Sequence, residues 1–222
     1  MSIAENIERF KQALPAGVEL VAVSKFHPVD AIKQAYEAGQ RLFAESRPQE
    51  LAEKVKELDP AEFPGLDWHF IGHLQTNKLK MVLPYVALVE SVDSVHLLDE
   101  IQKWGLDHNK KVDVLLEVHI AAEESKQGFY EEEIIELLFN AAKYTHIRFR
   151  GLMGMATHTT DVETIDADFE RIDSFMAYLK ELFWEMKDFD QLSIGMSKDW
   201  QIALKHGATM IRIGTAIFGE RQ

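Results

Sequence analysis

Two spacings of hydrophobic positions alternate along the chain. Short apolar or alternating runs fall at 20–25, 41–46, 68–73, 86–92, 112–120, 147–155, 191–196 and 210–215, and read as strands. Stretches with apolar residues three and four apart lie between them, at 28–38, 48–58, 77–83, 95–104, 131–143, 161–183 and 198–206, after an opening helix over 2–13. In the longest, Phe169, Ile172, Phe175, Met176 and Leu179 make one stripe, which reads as core. Gly39 suits a left-handed helix end. Pro28 and Pro48 fall where a helix does not need an N–H. Ser94 and Asp161 are expected N-caps, and Glu131, Glu132 and Glu133 place negative charge where a helix dipole favours it.

Eight strands alternating with helices imply a parallel sheet covered on its outer side. Closure into a (β/α)8 TIM-type barrel is the simplest solution for that count, with a doubly wound open sheet as the alternative. No internal repeat and no Pro/Gly/Ser-rich linker interrupts the pattern, so one domain over 1–222 is expected.

Composition narrows the function classes. Lys plus Arg total 24 and Asp plus Glu total 37, a formal charge of −13. That balance disfavours general nucleic-acid binding, which needs a basic footprint, but leaves room for a local anion pocket. Without cysteine there is no disulfide, thiolate nucleophile or Cys-based zinc site. The first ten residues are polar and carry Glu5, Glu8 and Arg9, unlike a signal peptide. No apolar run approaches the roughly 20 residues of a membrane helix. The expectation is a soluble cytoplasmic protein.

In such a barrel the chemistry gathers at the carboxyl ends of the strands. Lys25 closes the first apolar run, where partial desolvation favours the neutral amine that attacks carbonyls. Glu45-Ser46-Arg47 ends the second strand, Gly72-His73 the third and Met153-Gly154-Met155 the sixth. Gly195-Met196-Ser197 and Gly214-Thr215 each run from a strand toward a helix, with Ser197 placed as an N-cap. Loops after the seventh and eighth strands are the recurrent phosphate site of barrels. Two such loops opposite a strand-end lysine suggest a phosphorylated aldehyde: either pyridoxal phosphate or a sugar phosphate in a Schiff-base aldolase. Arg212 shares the strand face of Gly214 and lies deeper, within reach of a pyridine nitrogen; its other reading is a buried arginine paired to a strand carboxylate.

These residues carry a resemblance. Ala22-Val23-Ser24-Lys25, the run from Trp68 to Lys78, Gly151-Leu152-Met153-Gly154-Met155, Ser193 to Asp199, and Arg212 to Arg221 together resemble the YggS/PROSC-type pyridoxal phosphate homeostasis proteins. That family looks like the barrel domain of alanine racemase standing alone, and the match runs from about Leu20 to Arg221. The resemblance implies that Lys25 forms an internal aldimine with pyridoxal 5'-phosphate. It implies that Ser197, Gly214 and Thr215 hold the phosphate and that Arg212 faces the pyridine nitrogen. The expected cofactor-binding set is Lys25, Ser46, His73, Met196, Ser197, Arg212, Gly214 and Thr215, with no catalytic residue and no metal site. Expected partners are the cofactor and PLP-dependent apo-enzymes, with the protein a monomer that binds neither nucleic acid nor membrane.

The chain departs from the family pattern at two places. Ser46 stands where an Asn close to the ring is usual, and a hydroxyl cannot supply an amide's full set of donors and acceptor. His119 stands where Asn is common. His69 and His73 have zinc-helix spacing, but their aromatic neighbours argue for a strand. The five tyrosines fall mostly at helical positions away from the expected mouth. Holding rather than turnover is expected for two reasons. A donor-only arginine leaves the pyridine a poorer electron sink, and the chain's end at Gln222 leaves no second domain to supply an opposing base. The rival readings are a weak amino-acid racemase, the aldolase, and an interaction module whose barrel has lost its ligand.

Overall fold

In the computed structural model, residues 1–123 and 127–220 are described. Arg221, which closes the last family-like motif, and Gln222 lie outside the described residues. The strands are β1 (Glu19–Val23), β2 (Leu42–Glu45), β3 (Asp67–Phe70), β4 (Leu88–Val92), β5 (Val112–Val118), β6 (Ile147–Gly154), β7 (Gln191–Met196) and β8 (Met210–Ile213). The α-helices are α1 (Ile3–Ala13), α2 (Val29–Glu37), α3 (Pro48–Glu57), α4 (Leu79–Val82), α5 (Val95–His108), α6 (Glu131–Phe139), α7 (Val162–Leu182), α8 (Trp200–Ala203) and α9 (Thr215–Phe218).

All neighbouring strands pair in parallel, in the order β1 to β8, and β8 closes on β1 through Val21↔Arg212 and Ala22↔Ile213. The expected barrel is therefore present, and the open sheet is not. The two faces of each strand do different work. Val21, Val23, Ala44, Leu88, Leu115, Met153 and Met210 fill the barrel interior. The alternate residues, such as Phe43, Phe70 and Val114, pack outward against the helices, as the two-residue period of a strand requires.

Local chemistry sets the boundaries much as expected. Ser94 and Asp161 cap α5 and α7, accepting from the N–H groups of Leu97 and Thr164. Pro48 opens α3 and Pro28 is the cap residue of α2. Gly39 takes φ +83 after α2. The predicted helix over 198–206 is shorter: it becomes α8 plus a 3-10 turn, Leu204–His206. Its N-cap is Asp199, so the assignment of that role to Ser197 is corrected. Most strands stop one to three residues before the predicted ends, which moves Lys25, Ser46 and His73 off the ladder and into the loops of the mouth. Among the described residues no helix is long and apolar enough to cross a membrane.

Candidate cofactor site

The turn that carries Lys25 is clamped on both sides. Ser24 still pairs with the sheet, its N–H donating to the Ala44 carbonyl at 3.1 Å. Lys25 follows, half-buried. Phe26 then takes φ +67, a left-handed conformation that costs roughly 1–2 kcal/mol in a residue with a Cβ. Its N–H donates to Glu50 Oε1 at 2.6 Å. Lys54 Nζ donates to Ser24 O at 2.8 Å, Glu45 Oε1 at 2.6 Å and Glu50 Oε1 at 2.7 Å. The Ser24 hydroxyl also donates to Glu45 Oε1, at 2.7 Å. Both chain neighbours of Lys25 are thus tied to one buried cluster shared by β2 and α3. Burial pushes the Glu45 carboxyl up to about 6, with Lys54 and Ser24 pulling the other way. A groove of about 1120 Å³, lined by Phe26, His27, Arg47, Glu50 and Lys54 among others, opens on the outer flank of this turn. Hydrogen bonding, rather than groove size, locates the site.

Lys25 lies beside the last βα loop and not across the mouth from it, because β1 and β8 are neighbours. The His27 ring stacks on Phe218, the end of α9, at 5.1 Å between centroids. A Cβ on Gly214 would approach Val23 O to 3.3 Å. Gly214 is the cap residue of α9 and Thr215, exposed, is its first helical residue. The Thr215 and Ala216 amides, in the first turn, have no intrahelical acceptor. Next to them, Gly195 has φ +89, and a Cβ there would meet Ala203 Cβ at 2.6 Å. The following turn is closed by Met196 N–H, which donates to Asp199 Oδ1 at 2.5 Å. Ser197 sits half-buried in that turn, and Met196 is exposed.

Arg212 lies deeper, buried, on the inner face of β8. Its Nη1 donates to Ser193 O at 2.7 Å and Ser193 Oγ at 2.6 Å, and its Nη2 to Gly154 O at 2.9 Å. The Ser193 hydroxyl in turn donates to Glu90 Oε2 at 2.6 Å, and Glu90 Oε1 accepts from His69 Nδ1–H at 2.6 Å. Glu90 Oε2 is 3.7 Å from Arg212 Nη1. Burial opposes the charge on Glu90, but His69, Arg212 and Ser193 outweigh it and hold the carboxyl below its ordinary value. Burial likewise lowers Arg212, against Glu90, Glu117 and Asp199. Arg212 is thus deep on the inner face of β8 and paired to a strand carboxylate, the second of its sequence readings.

The ends of β3 to β5 form the remaining wall. Gly72 passes so close to Ser46 that a Cβ would fall 2.1 Å from Ser46 O, so only glycine fits. The Ser91 hydroxyl donates to Gly72 O at 2.6 Å. His73 follows, half-exposed, its Nδ1–H donating to Asp93 Oδ2 at 2.9 Å. His69 and His73 serve two separate carboxylates, as a strand and not a zinc helix would place them. Glu117 sits on the inner face of β5, two residues after Leu115. Burial, reinforced by Asp93, pushes its carboxyl up to about 7, against Arg212 and His73. His119 packs against the Tyr130 ring at 5.4 Å. Tyr130, the residue before α6, therefore lies at the carboxyl end of β5 rather than away from the mouth.

Sequence reasoning missed His69, Glu90, Ser193, Glu117, Asp93 and the Glu45–Lys54 pair as parts of this region. A signal was present for two of them. Glu90 interrupts Leu88-Val89-Glu90-Ser91-Val92 and Glu117 interrupts Leu115-Leu116-Glu117-Val118. A charge inside an apolar strand must be paired or serve a purpose.

Comparison with known proteins bears on the family and the fold. The family model for "Alanine racemase, N-terminal domain" matches residues 1–222. A pyridoxal phosphate homeostasis protein of Pasteurella multocida (strain Pm70) is 35% identical over 231 residues, covering 100% of this chain and 98% of the relative. PipY of Synechococcus elongatus PCC7942, solved with PLP bound, superposes with a TM-score of 0.90 at 33% identity, covering 98% of this chain and 100% of that one. An alanine racemase of Clostridium difficile 630 shares the fold, with a TM-score of 0.80 at 15% identity, over 99% of this chain and 56% of that one.

Proposed function

Because this chain belongs to the alanine racemase N-terminal domain family and, within it, to the pyridoxal phosphate homeostasis proteins, we propose that it binds pyridoxal 5'-phosphate at the barrel mouth and serves the cofactor's homeostasis by holding and releasing it. The observation that carries this reading is the Lys25 turn, clamped through Ser24 and Phe26 and packed by His27 against the helix that follows Gly214. When bound, the cofactor supplies an aldehyde that a lysine amine can capture.

The residues present fit that group. Lys25 is the amine that forms the covalent link. Ser197, Gly214 and Thr215 hold the phosphate, with the free first-turn amides of α9 supplying donors. Arg212 is fixed through Nη1 and Nη2, which leaves its Nε–H for the pyridine nitrogen. As a donor only, it favours an unprotonated ring, which suits holding over turnover. Ser46, His73 and Met196 complete the rim. The protein acts as a cytoplasmic monomer that passes the cofactor to PLP-dependent apo-enzymes.

The purified protein should show an absorbance band near roughly 420 nm from the lysine-linked cofactor. The band should vanish in Lys25→Ala, and borohydride should fix the cofactor on Lys25. A protein without the band, even after incubation with pyridoxal phosphate, rules the reading out.

A further inference from the structure

A second constellation, which the proposed cofactor contacts leave unused, lies across the mouth from the Lys25 turn. In the closed ring β5 is four strands from β1, and the ends of β3 to β5 face those of β7 and β8. The side chain of Glu117, a residue only 6% exposed, makes no hydrogen bond among the described residues, yet neither of its carboxylate oxygens is sealed from solvent. Asp93 beyond β4, His73 beyond β3 and Arg212 on β8 are the charged groups around it. His73 Nδ1 is taken by Asp93, and both Nη atoms of Arg212 by Ser193 and Gly154, with its Nε–H the group the cofactor reading assigns to the ring. Among the described residues no donor is hydrogen-bonded to the Glu117 carboxylate. A buried carboxylate lacking a donor is costly, and among the described residues none supplies one, which leaves the place to a cationic ligand. No group of three or more metal-ligating side chains that could hold a metal ion exists among the described residues, so this set does not call for a divalent ion.

An ammonium group matches what is missing: it is cationic and carries three N–H donors, and the pairing of Val92 with Leu116 sets Asp93 beside Glu117 at the ends of β4 and β5. We propose that Glu117 and Asp93 form a subsite for the ammonium group of a small primary amine, on the wall of the mouth that faces Lys25. Primary amines are also the chemical class that competes with a lysine for an aldehyde, so the subsite deepens the cofactor-holding reading and, as a route to cofactor release, rests on it. Binding should depend on pH. The Glu117 carboxyl is pushed up to about 7 by burial and Asp93, against Arg212 and His73, so it is mostly neutral at pH 6 and mostly charged at pH 8.

The test uses cofactor-stripped protein carrying ¹³C-carboxyl glutamate, with the Glu117 signal identified by its loss in Glu117→Gln. Propylammonium chloride is titrated in at constant ionic strength. The expected result is a saturable shift at Glu117, a lower titration midpoint when the amine is bound, and affinity about tenfold higher at pH 8 than at pH 6. Glu117→Gln should weaken binding and flatten its pH dependence. Asp93→Asn should weaken it while the dependence centred on Glu117 persists. The proposal is overturned if potassium or tetramethylammonium produces the same shift, if Glu117→Gln binds as well as wild type, or if no saturable shift occurs. Because the titration needs no cofactor, failure here leaves the absorbance test of the cofactor reading intact, and the reverse also holds.

Discussion

Glu117 and Glu90 are the same residue type in equivalent places, each two positions beyond an apolar residue of the inner core, yet their acidities move in opposite directions. Glu90 meets His69, Ser193 and Arg212 and is held below its ordinary value in spite of burial. Glu117 meets no donor among the described residues, and burial raises it to about 7. The consequence for stability has a definite sign. From the unfolded value near 4.5 up to about 7 the folded chain binds the Glu117 proton more tightly than the unfolded chain does, so this group's contribution falls as pH rises through that window. Above about 7 the full cost, on the order of 2–4 kcal/mol, is present. Glu117→Gln keeps the shape and removes the charge. It should therefore raise the thermal midpoint at pH 8 by several degrees, on the order of 2–4 °C per kcal/mol, and change it little at pH 5. Melting curves at the two pH values decide this: an equal or lower midpoint for the variant at pH 8 would mean that Glu117 has a partner in the native state. A residue kept where it lowers stability suits a ligand-binding role better than a structural one.

At the scale of elements, β1, its turn and α3 act together through Lys54. Its ammonium gathers Ser24 O, Glu45 and Glu50, and Glu50 then holds the Phe26 N–H. Lys54→Met leaves Glu45 buried and uncompensated, which should cost about 3–5 kcal/mol, and it frees the backbone on both sides of Lys25. Cofactor affinity, read by titrating the absorbance band, should fall with it, and Lys54→Met with Glu45→Gln should recover stability but not the full affinity. A loss of stability with unchanged affinity would show that the clamp does not position Lys25. Little of this was legible in the sequence, although the elements were. Apolar periodicity marked all eight strands and the longer helices, because burial on one face or both leaves that pattern directly. It overran the strand ends, because residues such as Ile71 remain packed against the inner core just past the last strand residue. It also could not show Lys54 as buried, since a lysine in a polar helix reads as solvated until the facing Glu45 is brought to it.

For the whole molecule, closure is what turns a list of strand ends into a site. Alternation of strands and helices implied the barrel and so placed Lys25, Ser197, Arg212 and Thr215 at one end. Closure also brings β8 to β1, which puts Lys25 beside the Gly214 loop and not opposite it; what alternation did not show is that β3, β4, β7 and β8 share a buried network through the lumen. Glu90 is the centre of that network: from β4 it receives His69 of β3 and Ser193 of β7, and it balances Arg212 of β8. Removing one member should leave the other charge buried and alone. Glu90→Leu should therefore destabilise by about 3–5 kcal/mol, and Arg212→Met by a similar amount, but the double variant by much less than the sum, since neither charge then remains to be desolvated. Denaturant melts of the four proteins measure the coupling. Cofactor titration separates the structural role from the binding role: Glu90→Leu should bind pyridoxal phosphate more weakly through a displaced Arg212, and the double variant should regain stability without regaining affinity. Additive losses would mean that the barrel strands accommodate each charge separately, and an affinity that recovers with stability would remove Arg212 from the cofactor site.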